Sequence, residues 1–383
     1  MQKTARSRKR KLRVGIPRGL LFYKFEAMWT TFFETLGAEV VISPKTTKQM
    51  KEDGLKSTLD DDCYSAKLYY GHVEAIKDKV DYFFVPRFAS RKKREVGCPK
   101  FIALADILEH TKENMPPIIG PYYSTSREKH GVIRLLRLVY QIGFKFTKNP
   151  FRIFHAMVKG LRADKKYLES IIISEETLEK WERSEIHLND PPIVTEDAEM
   201  LKVAVISHPY VINDGFASLE MREKLKNLGV DYITCQQMPR KPIERQIKRL
   251  LYVDYGLGIK DFDNIQKDEH KKDYLGWSDY LYFEFEHELV GTAMHYLENY
   301  KVDGVLMLVN FICGPVSVSM EYVKQYAKRI KSPTPLMIIT LDAHTGEAGF
   351  RTRLEAFTDI LRIKKMQETT LPDKKKEPAM ILV

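Results

Sequence analysis

Two stretches of the chain open on the same plan, and that repetition limits the fold more than any other feature. RVGIPRGLLFYKFEAMWTTFFETLGAEVVISP (13–44) reads as a short apolar strand, a Pro-Arg-Gly turn, an amphipathic helix that stops at Gly37, and a second strand, EVVIS. KVAVISHPYVINDGFASLEMREKLKNLGVDYITCQQMP (202–239) repeats the plan, with strand VAVIS, turn HPYVIND, a helix that ends at Gly229, and strand DYIT. A glycine just past a helix supplies the left-handed residue that caps its C-terminus. The third strands match as well, KVDYFFVPR (79–87) against KVDGVLMLVN (301–310), and fourth strands PPIIGP (116–121) and TPLMIIT (334–340) follow. Strands that alternate with helices and are apolar on both faces predict parallel sheets covered by helices.

The expected fold is therefore α/β. It has two pseudo-repeated doubly wound parallel-sheet (Rossmann-like) domains, residues 13–121 and 195–365, with a helical insertion and linker at 122–190 between them. Within the insertion, HGVIRLLRLVYQIGFKF and FRIFHAMVKGLRADKKYLESI read as basic helices that serve either as a lid or as packing, and HLNDPPIVTEDAEM is a polar linker. Residues 1–12 and 366–383 read as tails.

A chain of 383 residues, 44% hydrophobic and 30% charged, is long enough for two or three separate cores. It has no run of roughly 18 apolar residues and no charged-then-apolar leader. The expectation is a cytoplasmic protein with no membrane partner. The net charge of +10 is concentrated: MQKTARSRKRKLR carries seven basic residues and no acid, and RIKKMQ and DKKKEP add more near the other end. The body is close to neutral and shows no nucleic-acid module. The charge thus reads as a solvated tail, with loose phosphate or anionic-surface contact as the lesser alternative.

Four cysteines in a reducing compartment are core hydrophobes, ligands or reactive thiols rather than disulfides. Cys98 and Cys313 fall in loops after the third strand of each half, each ahead of a turn, as Cys98-Pro99-Lys100 and Cys313-Gly314-Pro315. Ligands in open α/β sheets sit outside the carboxyl ends of strands, so two facing domains would bring both thiols to one cleft. Cys63 lies in STLDDDCYSAKLYYGHVEAI, where the aspartates mark an N-cap region and a helix start favours thiolate. Cys235, at the end of a second strand, lacks such punctuation and reads as structural. The spacings match no local zinc or ferredoxin signature. Spacing alone therefore leaves buried free thiols beside a three-cysteine metal site with one open position.

The blocks IPRGLLFYKFEAMWTTFFETLGAEVVISPKT, DDDCYSAKLYYGHV, VDYFFVPR, CPKF, SHPYVINDGF, NFICGPVSVS and LDAHTGEAGFRTRLEAF occur in that order. Together, over about residues 12–362, they resemble the acyl-CoA dehydratase activase-related proteins of the 2-hydroxyacyl-CoA dehydratase-like iron–sulfur family. The resemblance implies an α/β protein that holds an iron–sulfur cluster, [4Fe-4S] or double-cubane, on Cys63, Cys98 and Cys313. It departs from the family at Ser65, where proline is usual. It also implies low-potential one-electron transfer, or reduction of a small-molecule or acyl-CoA-type substrate in the cleft between domains. Neither an actin-like ATPase domain nor a P-loop or GxGxxG fingerprint is present, so no nucleotide is expected and a separate ATPase activator or electron donor would be needed. A homodimer is compatible with this reading.

Other polar residues are weighed against ordinary structural roles. Asp342, His344 and Glu347 would move protons as catalytic groups, or else cap a helix. Arg351 and Arg353 would bind an anion or form salt bridges. His208, with Tyr210 and Asp214 nearby, sits in a cleft-facing loop. Pro17 and Arg18 occupy the matching loop of the first half, where Arg18 would contact an anion or the cluster's sulfides. Asn310 would donate a hydrogen bond to the cluster. YLYFEFEH (280–287) reads as helix core. The alternative to a redox protein is a non-catalytic two-domain binding or scaffold protein with a structural metal or buried cysteines.

Overall fold

The computed structural model describes residues 10–90, 96–112, 114–124, 131–189, 200–254, 281, 283–370 and 381–382. The N-terminal half contains β1 (Arg13–Ile16), α1 (Phe22–Leu36), β2 (Glu39–Ile42), α2 (Lys48–Lys56), α3 (Tyr64–Ile76), β3 (Tyr82–Phe84), β4 (Arg87–Ser90), α4 (Pro99–Thr111), β5 (Ile118–Ile119) and β6 (Tyr122–Ser124). Three helices follow: α5 (Gly131–Gly143), α6 (Pro150–Ile171) and α7 (Glu175–Glu182). The C-terminal half begins with β7 (Leu201–Ile206), α8 (Pro209–Ile212), α9 (Met221–Asn227), β8 (Val230–Thr234) and α10 (Arg240–Asp254). It continues with α11 (Glu284–Asn299), β9 (Gly304–Asn310), α12 (Gly314–Arg329), β10 (Leu336–Leu341), α13 (Glu347–Thr370) and β11 (Ile381–Leu382).

The fold is mixed α/β with parallel sheets. One sheet has the order β2-β1-β3-β5 and another the order β11-β10-β9-β7-β8, every pair parallel. Gly37 ends α1 as expected, at φ 91°, and its N–H reaches the Glu34 carbonyl at 2.9 Å. In β7, Leu201, Val203 and Val205 join an apolar cluster shared with the N-terminal half, while Ala204 and Ile206 face a second cluster. That period of two places apolar side chains on both faces, which is why the strands read as continuous hydrophobic runs.

Several details depart from the sequence reading. The expected third strand 79–87 is interrupted at Val85-Pro86, where proline has no N–H for the ladder. The chain resumes as β4, which pairs with β6 in a separate two-stranded parallel sheet. Helix α13 runs on to Thr370, and Ile381–Leu382 pairs with Leu336 and Met337 as an edge strand inside the stretch expected to be a tail. Residues 1–9 of the basic tail, 190–199 of the linker and 371–380 of the C-terminal tail lie outside the described residues.

Of the two roles open to the insertion, packing is the one seen. Helix α6 lies antiparallel along α1, with Arg152 Nε on the Thr35 carbonyl (3.4 Å) at one end and Tyr167 Oη on the Tyr23 carbonyl (3.4 Å) at the other. Ile153, Ala156 and Gly160 form its buried face, and a Cβ at Gly160 would come within 2.8 Å of the Met28 carbonyl oxygen. Trp181 of α7 is fully buried and donates from Nε1 to Asp231 Oδ2 of β8 at 2.7 Å.

Candidate functional site

Three helices begin on a cysteine. Cys63 is the N-cap of α3, Cys98 of α4 and Cys313 of α12, and none of the three makes a side-chain cap hydrogen bond. Ser, Thr, Asp or Asn in those places would hold the free N–H groups and stabilise each helix by roughly 0.5–2 kcal/mol relative to a non-capping residue. Pro99 and Pro315 fix the first turns of α4 and α12, where a missing N–H costs nothing. Backbone N–H groups of the first turns favour the thiolate form, Ala66 for Cys63, Lys100 and Phe101 for Cys98, and Val316 for Cys313.

Helix starts lower a thiol's pKa, which led to the expectation of a thiolate at Cys63. The structure corrects it. Burial outweighs the helix N–H groups, pushing Cys63 up to about 11, Cys313 up to about 12, and Cys98 upward as well. Cys98 packs against one apolar cluster and Cys313 lies within the other. Cys63 packs against both apolar clusters, at the junction of the two halves.

Several contacts hold this locus together. Asp62, almost fully buried, pairs with Lys100 and so ties the turn before Cys63 to the first turn after Cys98. Asn310, at the end of β9, donates from Nδ2 to Ser65 Oγ at 2.5 Å, joining the two halves two residues beyond Cys63. The Ser65 hydroxyl is thus engaged. His208 Nε2 lies 3.9 Å from Cys313 Sγ, and its ring stacks on Tyr210 (centroids 4.7 Å apart, planes at 20°) and meets Phe285 edge-on at 5.6 Å. Burial holds the imidazole down to about 3, so it is neutral. Its Nδ1, Asn310 Oδ1 and Asp62 Oδ2 are buried without a hydrogen-bond partner among the described residues.

The remaining candidates have structural partners. Asp342 Oδ1 accepts from the His344 backbone N–H (2.8 Å) and from Thr345 Oγ1 (2.9 Å), forming the turn ahead of α13. Burial opposes its ionisation, but these hydrogen bonds prevail and leave the carboxyl below its usual range. Glu347 is exposed and pairs with Lys224 at 2.7 Å, and His344 is exposed. Arg351 pairs with Glu355 one turn on at 2.8 Å, and Arg353 is exposed. Arg18 turns to the end of β2, its N–H donating to Ser43 Oγ (2.7 Å) and its Nε to the Ser43 carbonyl (3.1 Å). Cys235 is buried and donates from Sγ to the Ser207 carbonyl at 3.0 Å. Leu281 and Phe285, from the stretch read as helix core, are buried.

Sequence reading missed a buried chain of polar groups beside α3. His72, with no exposed surface, lies 3.0 Å from Ser43 Oγ through Nδ1 and 2.9 Å from Thr46 Oγ1 through Nε2, and Thr46 donates to Asp214 of the other half. A histidine inside SAKLYYGHVEAI is a hint, but its partners lie 26, 29 and 142 residues away along the chain.

Among the described residues, no group of three or more His, Cys, Asp or Glu side chains is close enough to hold a metal ion. A single ion requires its donors to meet at one point, whereas a cubane offers separate iron corners to separate thiolates. The three thiols sit at helix starts in apolar surroundings. The family model described as "CoA enzyme activase uncharacterised domain (DUF2229)" matches residues 13–238, more than half of the chain. That span includes Cys63 and Cys98, and Cys313 lies beyond it. No curated protein matches the chain.

Proposed function

The chain belongs to the CoA enzyme activase-related family, and from that premise we propose that Cys63, Cys98 and Cys313 hold an iron–sulfur cluster in the service of one-electron chemistry. The observation that carries this reading is the set of three uncapped helix starts, drawn from both halves, whose cysteines lie on two apolar clusters that share Cys63. Such a group, when bound, supplies a low-potential electron and Lewis-acidic iron.

The protein's own part is to bind, orient and exclude water. The N-termini of α3, α4 and α12 favour the thiolates once they form. Neutral His208 faces Cys313 Sγ through Nε2 at 3.9 Å, and the Tyr210 hydroxyl keeps its proton because burial raises its pKa. The rings of Phe101, Tyr210 and Phe285, with centroids 6.1–6.4 Å apart, close an apolar wall on the same locus. Both sheets put their second strand outside the first and their third on the first strand's other side, which supports reading the halves as a duplicated Rossmann-like pair. A separate ATPase activator or electron donor delivers the electron in the cytoplasm, and the acceptor is a small molecule or CoA-type substrate.

Anaerobic reconstitution followed by iron, acid-labile sulfide and zinc analysis tests the reading. The expected product is brown and contains iron and sulfide. Cys63→Ser, Cys98→Ser and Cys313→Ser each lose the cluster, whereas Cys235→Ser keeps it. A colourless, iron-free protein after reconstitution refutes the proposal and leaves a non-catalytic binding or scaffold role.

A further inference from the structure

The helical insertion carries an exposed feature for which the thiol site has no use. At the tip where α5 gives way to α6, Phe144 is 53% exposed, Phe151 84% and Phe154 48%. Phe146, between them in sequence, turns inward against Phe33 and Tyr82, with ring centroids 5.5 and 6.4 Å apart, so the tip is anchored while its other rings face outward. Three phenylalanines exposed together are unusual on a soluble surface and mark a contact site. Residues 131–171 carry nine Lys and Arg against two acids, Asp164 and Glu169, and Lys145, Lys148 and Arg152 are exposed at the tip itself.

Position narrows what can dock there. Phe146 rests on the first residue of β3, and Arg152 reaches the Thr35 carbonyl at the end of α1, so the tip lies at the N-terminal edge of the first sheet. The cysteines lie at the opposite edge, beyond the carboxyl ends of strands, and α1 alone separates the two by about 22 Å. An electron donor docked at the tip would be far from the thiols. A second copy of the chain is disfavoured too, because a two-fold contact would set these cations against their own copies. Arg10 and Arg13 pair with Asp81 beside Tyr82, at 2.8 and 3.2 Å, which adds two more cations at this same edge.

We propose that this pole binds the surface of an anionic lipid bilayer. Phe144, Phe151 and Phe154 enter the boundary between headgroups and acyl chains. Lys145, Lys148, Arg152 and Arg10 meet the headgroups, giving the apolar and polybasic signals that stable peripheral binding needs. Among the described residues no helix is long and apolar enough to cross a membrane, so the contact is with the surface. The thiol edge then faces away from the lipid. This inference stands apart from the cluster reading.

Sedimentation of the full-length protein with unilamellar vesicles tests it, one set phosphatidylcholine alone and the other phosphatidylcholine with phosphatidylglycerol. The wild type should pellet with the anionic vesicles only, and less so as salt rises. Phe144→Ser with Phe151→Ser should lower the partition at least ~10-fold at unchanged circular dichroism, and Lys145→Glu with Lys148→Glu should remove the preference for anionic lipid. Wild-type protein left in the supernatant with anionic vesicles at low salt overturns the proposal and hands the tip to an acidic protein face. Undiminished binding by the Phe→Ser variant overturns it as well, since the cations alone would then make the contact.

Discussion

Replacing Ser65 with alanine tests how the two halves are joined at the cysteine locus. The variant removes the hydroxyl that accepts from Asn310 Nδ2 at 2.5 Å. Asn310 is 1% exposed and its Oδ1 has no partner among the described residues, so both polar atoms of a buried amide would then be unpaired. An orphaned buried donor costs roughly 1–3 kcal/mol, and alanine's better helix propensity returns about 0.5 kcal/mol near the start of α3. The net loss is about 0.5–2.5 kcal/mol. Urea titration followed by tryptophan fluorescence should show a lower midpoint. In a cycle with Asn310→Ala the double variant should lose less than the two single losses combined, with a coupling of about 1 kcal/mol. Proline, the residue the family resemblance places here, also lacks the hydroxyl, so Ser65→Pro should lose the same coupling. Because the bond lies two residues from Cys63 and three from Cys313, the alanine variant should also speed the reaction of both thiols with a disulfide reagent. Strictly additive single losses, or a Ser65→Ala variant as stable as the wild type, would refute the reasoning.

Acid should unfold the protein partly through His72. Burial and then the Arg18 charge hold its imidazole down to about 4. A folded value depressed below the free value of about 6.5 gives stability that is full above 6.5 and is lost as pH falls toward 4. The loss is about 3 kcal/mol; His72→Gln should flatten that part of the pH–stability profile, and parallel profiles would count against it. Gly71→Ala should destabilise despite alanine's helix propensity, because the new Cβ would fall 1.9 Å from the Met50 carbonyl oxygen and force α2 off α3, lowering the melting temperature. Lys100→Met leaves the Asp62 carboxylate, 1% exposed, without its cation and should cost about 3–5 kcal/mol. Asp62→Asn in the same chain should recover much of that loss in the denaturation midpoint.

Local features of the sequence carried the fold a long way. Apolar runs such as VLMLVN place the strands, Gly37 stops α1, and Pro99 and Gly314-Pro315 mark where helices start after a cysteine. What the sequence hides is long-range. Glu347 looks free for catalysis until Lys224, 123 residues earlier, is seen to hold it. Three aspartates before Cys63 look like a cap, yet the N-cap is Cys63 itself and Asp62 reaches Lys100. The thiol acidity was misjudged for the same reason: a helix start is visible in sequence, but two apolar clusters closing over Cys63 are not.

That burial also bears on the choice between cluster and scaffold. With Cys63 pushed up to about 11, Cys313 to about 12 and Cys98 upward, each thiol carries its proton at neutral pH. Ligation needs thiolates, so loading would release a proton from each. Affinity should then rise up to tenfold per pH unit for every proton released, or about 1,000-fold for three. A scaffold that only buried free cysteines would have no such dependence, and no reason to leave α3, α4 and α12 without the serine or aspartate caps that stabilise helix starts. Starting three helices on cysteine in place of a capping residue makes sense when the sulfurs are to become anions beside helix N-termini.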